Sequence, residues 1–263
     1  MGKSWNAYWL FTGLKFKKVL QFPANLVAQS VAMILNNLGF LAAWGLLFSR
    51  FGNINGYTIW EIILLQGYAA TFYATFFWFI GGVAKSTFEY LDRDRFMDLQ
   101  LYPLNPLLLL TTKSGEPTQW GDMLEGVVLM GIYLWHAPEA VSLIGISLIL
   151  TIAGLYGVTL FISSILFFIP KGGEFFGDLI QNIFVGASMY PSQNFQGITR
   201  TVFYVLLLVP IVFYPIEVVR GLLSPKYLFI SLFFVILINI LGLTLWNAGI
   251  KRVESGSGGG LVD

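Results

Sequence analysis

The residues able to do chemistry fall into one short hydrophilic stretch and a few acids isolated within apolar runs. Glu89, Asp92, Arg93, Asp94, Arg95 and Asp98 place mixed charges between long greasy segments. Asp92-Arg93-Asp94 has the form of a metal-binding D-x-D of a sugar transferase, but no soluble nucleotide-binding domain surrounds it. Asp122 and Glu125 stand one turn apart, as do Glu174 and Asp178. Acids inside apolar segments point to function by default; near the inner ends of their spans they also read as solvated or paired helix ends. Glu61 reads the same way at an outer end. His136 is the only histidine; lacking a second for a metal pair, it reads as a surface residue in an outer turn. There is no G-x-x-x-x-G-K-[ST] phosphate loop, and with no cysteine, disulfides and thiolate metal sites are excluded. No catalytic, metal or cofactor residue is assigned to this chain.

The elements that must position these groups are membrane spans. Of 263 residues, 56% are hydrophobic and only 11% charged, against roughly 25% charged in soluble domains. A helical span needs about 20 apolar residues to cross roughly 30 Å of hydrocarbon. Six such runs are expected: Ala24–Phe48, Tyr57–Gly82, Thr118–Trp135, Val141–Ile169, Glu174–Tyr190 and Tyr227–Ala248. The reading is an all-α integral membrane protein with a single transmembrane domain over 1–253 and a flexible glycine-serine tail over 254–263. Ahead of the first span, Trp5, Trp9, Lys15, Lys17 and Lys18 mix aromatics with lysines in the manner of a helix lying among lipid headgroups. The apolar run that follows is too long for a signal peptide. A net charge of +1 gives no case for nucleic acid.

Loop charge orients the spans, because cytoplasmic ends are enriched in Lys and Arg. With the N-terminus inside, Lys3, Lys15, Lys17, Lys18, Lys85, Arg93, Arg95, Lys113, Lys171, Lys251 and Arg252 are cytoplasmic, and only Arg50, Arg200, Arg220 and Lys226 are outside. Thr201–Leu223 is long enough to cross as well, which would place the C-terminus outside. Pro210 and Pro215 interrupt it, as in a re-entrant hairpin packed against protein; a kinked span would accommodate them too. Six spans plus an outer hairpin, with both termini cytoplasmic, is the expected layout.

Within the charged stretch, Ser86-Thr87-Phe88-Glu89 reads as a capping box, so a helix is expected to start at Ser86. It should end before Tyr102, since Pro103 disfavours helical geometry in the residue before it. Asn105-Pro106 reads as a second helix start. Without further context the stretch is equally well a solvated loop with local charge pairs.

The order of these elements resembles the permease subunit of an ABC-2 type transporter, in the branch without a fused ATPase. FMDLQLYPLNPLLLL, residues 96–110, is similar to the segment after the family's second span, with Tyr102 where the family commonly has arginine. Tyr190-Pro191 through Arg200, and Pro215 through Gly221, resemble the two ends of its outer hairpin, to which Pro191, Pro210, Pro215 and Arg220 are assigned. Trp246 through Ser255 resembles its C-terminal ending. The resemblance implies an exporter in a bacterial-type inner membrane, a second permease chain, the same or related, and a cytoplasmic ATP-binding-cassette subunit that holds ATP and Mg. It further implies that the helix at Ser86–Leu101 contacts that subunit, through Phe88, Glu89, Leu91, Asp92, Arg93, Arg95, Phe96, Met97 and Asp98, with the N-terminal helix bracing the same junction.

Two other classes remain at this point. An ion-coupled secondary transporter needs ionisable groups near the bilayer midplane, and the spans offer almost none. A membrane-embedded lipid-modifying enzyme needs an interfacial acid cluster, for which Asp122, Glu125, Glu174 and Asp178 are the candidates. Phe72, Tyr73, Phe76, Phe77, Trp78 and Phe79 read equally as a lining for an apolar substrate or as lipid-facing packing.

Overall fold

The computed structural model describes residues 2–54, 56–93, 95–102, 104–113, 119–169 and 182–255. Its regular elements are helices: α1 (Gly2–Leu20), α2 (Pro23–Phe51), α3 (Ile59–Phe79), α4 (Gly82–Asp92), a 3-10 turn (Phe96–Leu101), α5 (Pro106–Lys113), α6 (Trp120–His136) and α7 (Val141–Ile165). The series continues with α8 (182–188), α9 (Gly197–Val205), a π turn (Val209–Phe213), α10 (Tyr214–Val219) and α11 (Lys226–Glu254). No strand occurs among the described residues.

The bundle is built around α3. Thr58 starts it with a capping box: its hydroxyl accepts from the Glu61 amide, and the Glu61 carboxylate accepts from the Thr58 amide at 2.7 Å. α3 is apolar on all sides, and the α3–α4 segment is 72% buried over its most apolar window, against 17% for α2 and 22% for α11. A helix apolar all round and enclosed by protein is a core element, whereas α2 and α11 turn long apolar flanks outward. Phe72 and Phe76 are fully buried, so they are core packing rather than lipid-facing surface.

Small residues set the close contacts. A Cβ on Gly67 would lie 2.9 Å from the Met130 amide nitrogen, and one on Gly126 2.7 Å from that of Thr71. The α3–α6 contact therefore brings backbone against backbone, as in lipid-embedded helix pairs. Between α7 and α11, Ser164 Oγ donates to the Gly242 carbonyl at 3.1 Å and Asn239 Nδ2 to the Ala153 carbonyl at 3.0 Å.

Four helices are long and apolar enough to cross a membrane, or five if the bent pair α9 and Val209–Val219 counts as one span. The expected third span appears as α6, whose 17 described residues fall just short. The first part of the expected fifth, up to residue 181, lies outside the described residues, as do Asp94, Pro103, Lys171, Glu174 and Asp178. The bent pair turns through 84° at Leu207, whose φ of 62° is unusual for a non-glycine residue. Beyond the corner, Pro215 cannot donate to the Ile211 carbonyl; Thr151 Oγ1 of α7 donates there instead at 2.8 Å. Ser147 Oγ likewise donates to the Pro215 carbonyl at 3.2 Å.

The expected helix start at Ser86 is corrected. α4 begins at Gly82, following α3 almost without interruption, and Ser86 and Thr87 lie buried inside it. Thr87 Oγ1 donates to the Val83 carbonyl at 2.6 Å rather than capping a terminus. Asn105-Pro106 does start a helix: Asn105 Oδ1 accepts from the Leu107 amide at 2.8 Å.

Candidate functional site

The charged stretch forms a rigid corner. After α4 ends at Asp92, the Arg95 amide donates back to the Tyr90 carbonyl at 2.8 Å and the 3-10 turn follows. Phe96, expected as an anchor for a partner, points inward and is 2% exposed. Its ring meets Phe167 at 4.9 Å and Trp246 at 6.2 Å, in edge-to-face geometry, and those two rings meet each other at 5.1 Å. Val83, Leu99, Leu110 and Leu160 complete this buried cluster, and the half-buried Leu91 packs against it. Gln100 Nε2 adds a hydrogen bond to Glu254 Oε1 at 2.7 Å. The 3-10 turn is thus fastened to the end of α7 and to the last turns of α11.

The opposite side of the corner is open. Asp92, Arg93, Arg95 and Met97 are exposed, Phe88, Glu89 and Asp98 half-buried. Ser86, Glu89, Tyr90, Arg93, Arg95, Asp98 and Tyr102 line a cleft of about 390 Å³. Arg95 Nε pairs with Asp98 Oδ2 at 2.8 Å on its rim, an exposed pair that contributes little to stability. Of the residues expected at a partner contact, Glu89, Arg93, Arg95 and Asp98 line this cleft, Asp92 and Met97 are exposed, and Phe96 is withdrawn into the core.

α1 braces the neighbouring end of α3. Tyr8 Oη donates to the Phe79 carbonyl at 3.3 Å. Trp9 packs near Phe79, and Phe16 near Trp78 and Trp120. Burial pushes the Lys15 amine down to about 8, and it has no hydrogen-bond partner. Lys17 and Lys18 are exposed, and the side chain of Trp5 lies outside the described set.

At the other end of the bundle sits a network whose members Glu61 and Arg220 were singled out one by one in the sequence, but whose pairing was not. Arg220 Nε binds Glu61 Oε1 at 2.9 Å and Nη1 binds Glu217 Oε2 at 2.8 Å. The guanidinium lies 3.3 Å from the centre of the Tyr57 ring, and the Tyr57 hydroxyl donates to Glu217 Oε1 at 2.7 Å. Ser192 Oγ reaches the same oxygen at 2.6 Å, next to Pro191. Three segments distant in sequence are tied together here. His136 nearby is exposed and stacks on Trp60 at 3.7 Å.

A second unforeseen cluster lies inside the bundle. Asn37 Nδ2 donates to Asp122 Oδ1 at 2.9 Å and to Glu125 Oε2 at 3.0 Å. Asn37 is about 21 Å along α2 at 1.5 Å per residue, so the acids at the start of α6 sit at the level of the middle of α2. They are paired, as one reading of the sequence held, but to an amide of another helix and not to a basic side chain.

A many-helix chain with apolar crossing segments, a charged corner and a buried polar lock at opposite ends defines a multi-pass membrane protein. A family model described as ABC-2 family transporter protein matches residues 34–257, and the chain belongs to that family. No curated protein and no solved structure matches it. Membership makes the chain a membrane component of a transporter and implies association with an ATP-binding-cassette ATPase.

Proposed function

We propose that the chain is the permease subunit of an ATP-driven exporter, with ATP and Mg held by a separate cytoplasmic subunit and substrate moved by rocking of two permease chains. It has six spans, an outer re-entrant hairpin at Pro191, Pro210, Pro215 and Arg220, cytoplasmic termini, and a place in a bacterial-type inner membrane. The 84° bend with its satisfied carbonyls supports the hairpin, and α6 supplies the short third span.

The observation that carries this reading is the fastening of the 3-10 turn by Phe96, Phe167 and Trp246 while Asp92, Arg93 and Met97 stay exposed. A partner pressing on that outer surface moves α7 and α11 with it, because the aromatic cluster is packed and does not yield. Rigid-body transmission of this kind converts nucleotide-dependent closure into movement of spans.

The test is a pull-down from detergent extract, comparing the intact chain with a Glu89→Ala, Arg93→Ala, Arg95→Ala variant. A subunit that carries a phosphate loop and hydrolyses ATP should co-purify with the first and be lost from the second. Recovery of no ATPase with either chain contradicts the reading.

A further inference from the structure

We propose that α2 is the contact between two copies of this chain, with Asn36 meeting the same residue of the second copy across a two-fold axis. The need for a second chain rests on the permease reading above; the choice of this face, and of an identical copy, rests on what α2 presents.

Three observations lead here. The first is a seam. Asn25, Gln29, Ala32, Asn36, Gly39 and Ala43 follow one another along α2 in alternating steps of four and three residues, and all are exposed. A 3.5-residue period is the pattern by which one helix lies along another, and small residues with amides are what joins helices surrounded by lipid. At 1.5 Å per residue the seam runs about 27 Å, close to the roughly 30 Å of hydrocarbon. The second is an idle amide. Asn36 turns outward from a membrane-crossing helix and makes no hydrogen bond among the described residues, although leaving such a group unpaired in an apolar medium is unfavourable. The third is a glycine that its own chain does not require. A Cβ on Gly39 would meet nothing within 4 Å, whereas those on Gly67 and Gly126 would collide with a neighbouring helix. Glycine inside a helix is less favourable than alanine, so Gly39 calls for a close neighbour from outside the chain.

The adjoining outward side of α2 is of a different make. Val27, Val31, Leu35 and Leu38 are exposed there, and bulky aliphatic side chains suit lipid. An identical copy fits the polar seam. A carboxamide both donates and accepts, so two asparagines related by a two-fold axis satisfy each other, as an isologous interface requires. Two copies in one membrane run in the same direction, so each seam residue meets itself, and Ala32, Gly39 and Ala43 let the backbones approach. A single asparagine at such a position also fixes the register and the number of chains.

The test places single cysteines in the full chain, which has none of its own, and oxidises them in native membranes. Ala32→Cys and Ala43→Cys should each give a disulfide-linked dimer, while Val31→Cys and Leu35→Cys, on the lipid side, should stay monomeric. No dimer through either seam position, or equal dimer through the lipid-side positions, overturns the proposal. Asn36→Leu should also weaken association about threefold, read by energy transfer between labelled copies in liposomes, and Leu35→Ala should leave it unchanged. Undiminished association of Asn36→Leu overturns the amide contact. Seam links in a chain that recruits no ATPase would uphold this interface and refute the permease reading; an ATPase recruited by a chain that forms no seam link would do the reverse.

Discussion

Replacing Arg220 with alanine should destabilise the protein by about 3–5 kcal/mol, the cost of removing one partner from a buried ion pair. The Arg220 side chain is fully buried, with Glu217 at 7% and Glu61 at 18% side-chain exposure. Its loss leaves two carboxylates facing each other across the N-terminal end of α3 and takes the donor from the Gly56 carbonyl, now bound by Nη2 at 3.2 Å. Lysine should not rescue the site. A single ammonium cannot reproduce the fork that reaches Glu61 and Glu217 while the flat guanidinium stacks on Tyr57. Adding Glu217→Gln to Arg220→Ala should recover part of the loss by lowering the uncompensated charge. Thermal unfolding in detergent reads all four proteins; an Arg220→Ala midpoint equal to that of the native chain would refute this account of the lock.

Phe96→Ala should cost a similar amount, about 3–5 kcal/mol for a large aromatic truncated in a packed core. Phe96, Phe167 and Trp246 are each no more than 2% exposed, so the ring's space has nothing to fill it. Met97→Ala, one residue on and 44% exposed, should change stability by only about 0.5 kcal/mol or less. The pair separates two roles that sequence reading had merged. Loss of ATPase binding by Met97→Ala at unchanged unfolding temperature would mark a contact residue, while Phe96→Ala should lower the unfolding temperature first. Equal stability of the two variants would contradict the buried placement of Phe96.

The parts legible in the sequence were those set by local chemistry. Asn105-Pro106 announced a helix start because an N-cap oxygen and a proline in the first turn act within a few residues. The apolar runs of α2, α3, α7 and α11 were readable because lipid and a buried core make the same demand on composition. Ser86-x-x-Glu89 misled because the same pattern sits harmlessly inside a helix when its hydroxyls bond back one turn, as Thr87 does. The genuine capping box at Thr58 and Glu61 carried the same signature and passed unread. Pairings across long stretches of chain left no local trace. Arg220 and Glu61 are 159 residues apart and Asn37 and Glu125 are 88. The one available hint was an asparagine pair, Asn36-Asn37, in the middle of an apolar span, where polar side chains serve as interhelical bonds. Phe96 was misassigned for a related reason: a phenylalanine between charges reads as a surface anchor until the distant Phe167 and Trp246 are seen to enclose it.

The most direct test of the central claim uses the absence of cysteine in the native chain. Single cysteines at Met97 and at Leu222, both exposed, would be treated with a bifunctional maleimide in membranes that hold the assembled transporter. Met97→Cys should form an adduct containing the ATPase subunit and should resist a membrane-impermeant maleimide in intact cells. Leu222→Cys, on the far side of the bundle next to Arg220, should form no such adduct and should label from outside. An ATPase adduct through Leu222→Cys, or external labelling of Met97→Cys, would contradict the proposed docking corner and the orientation on which it depends.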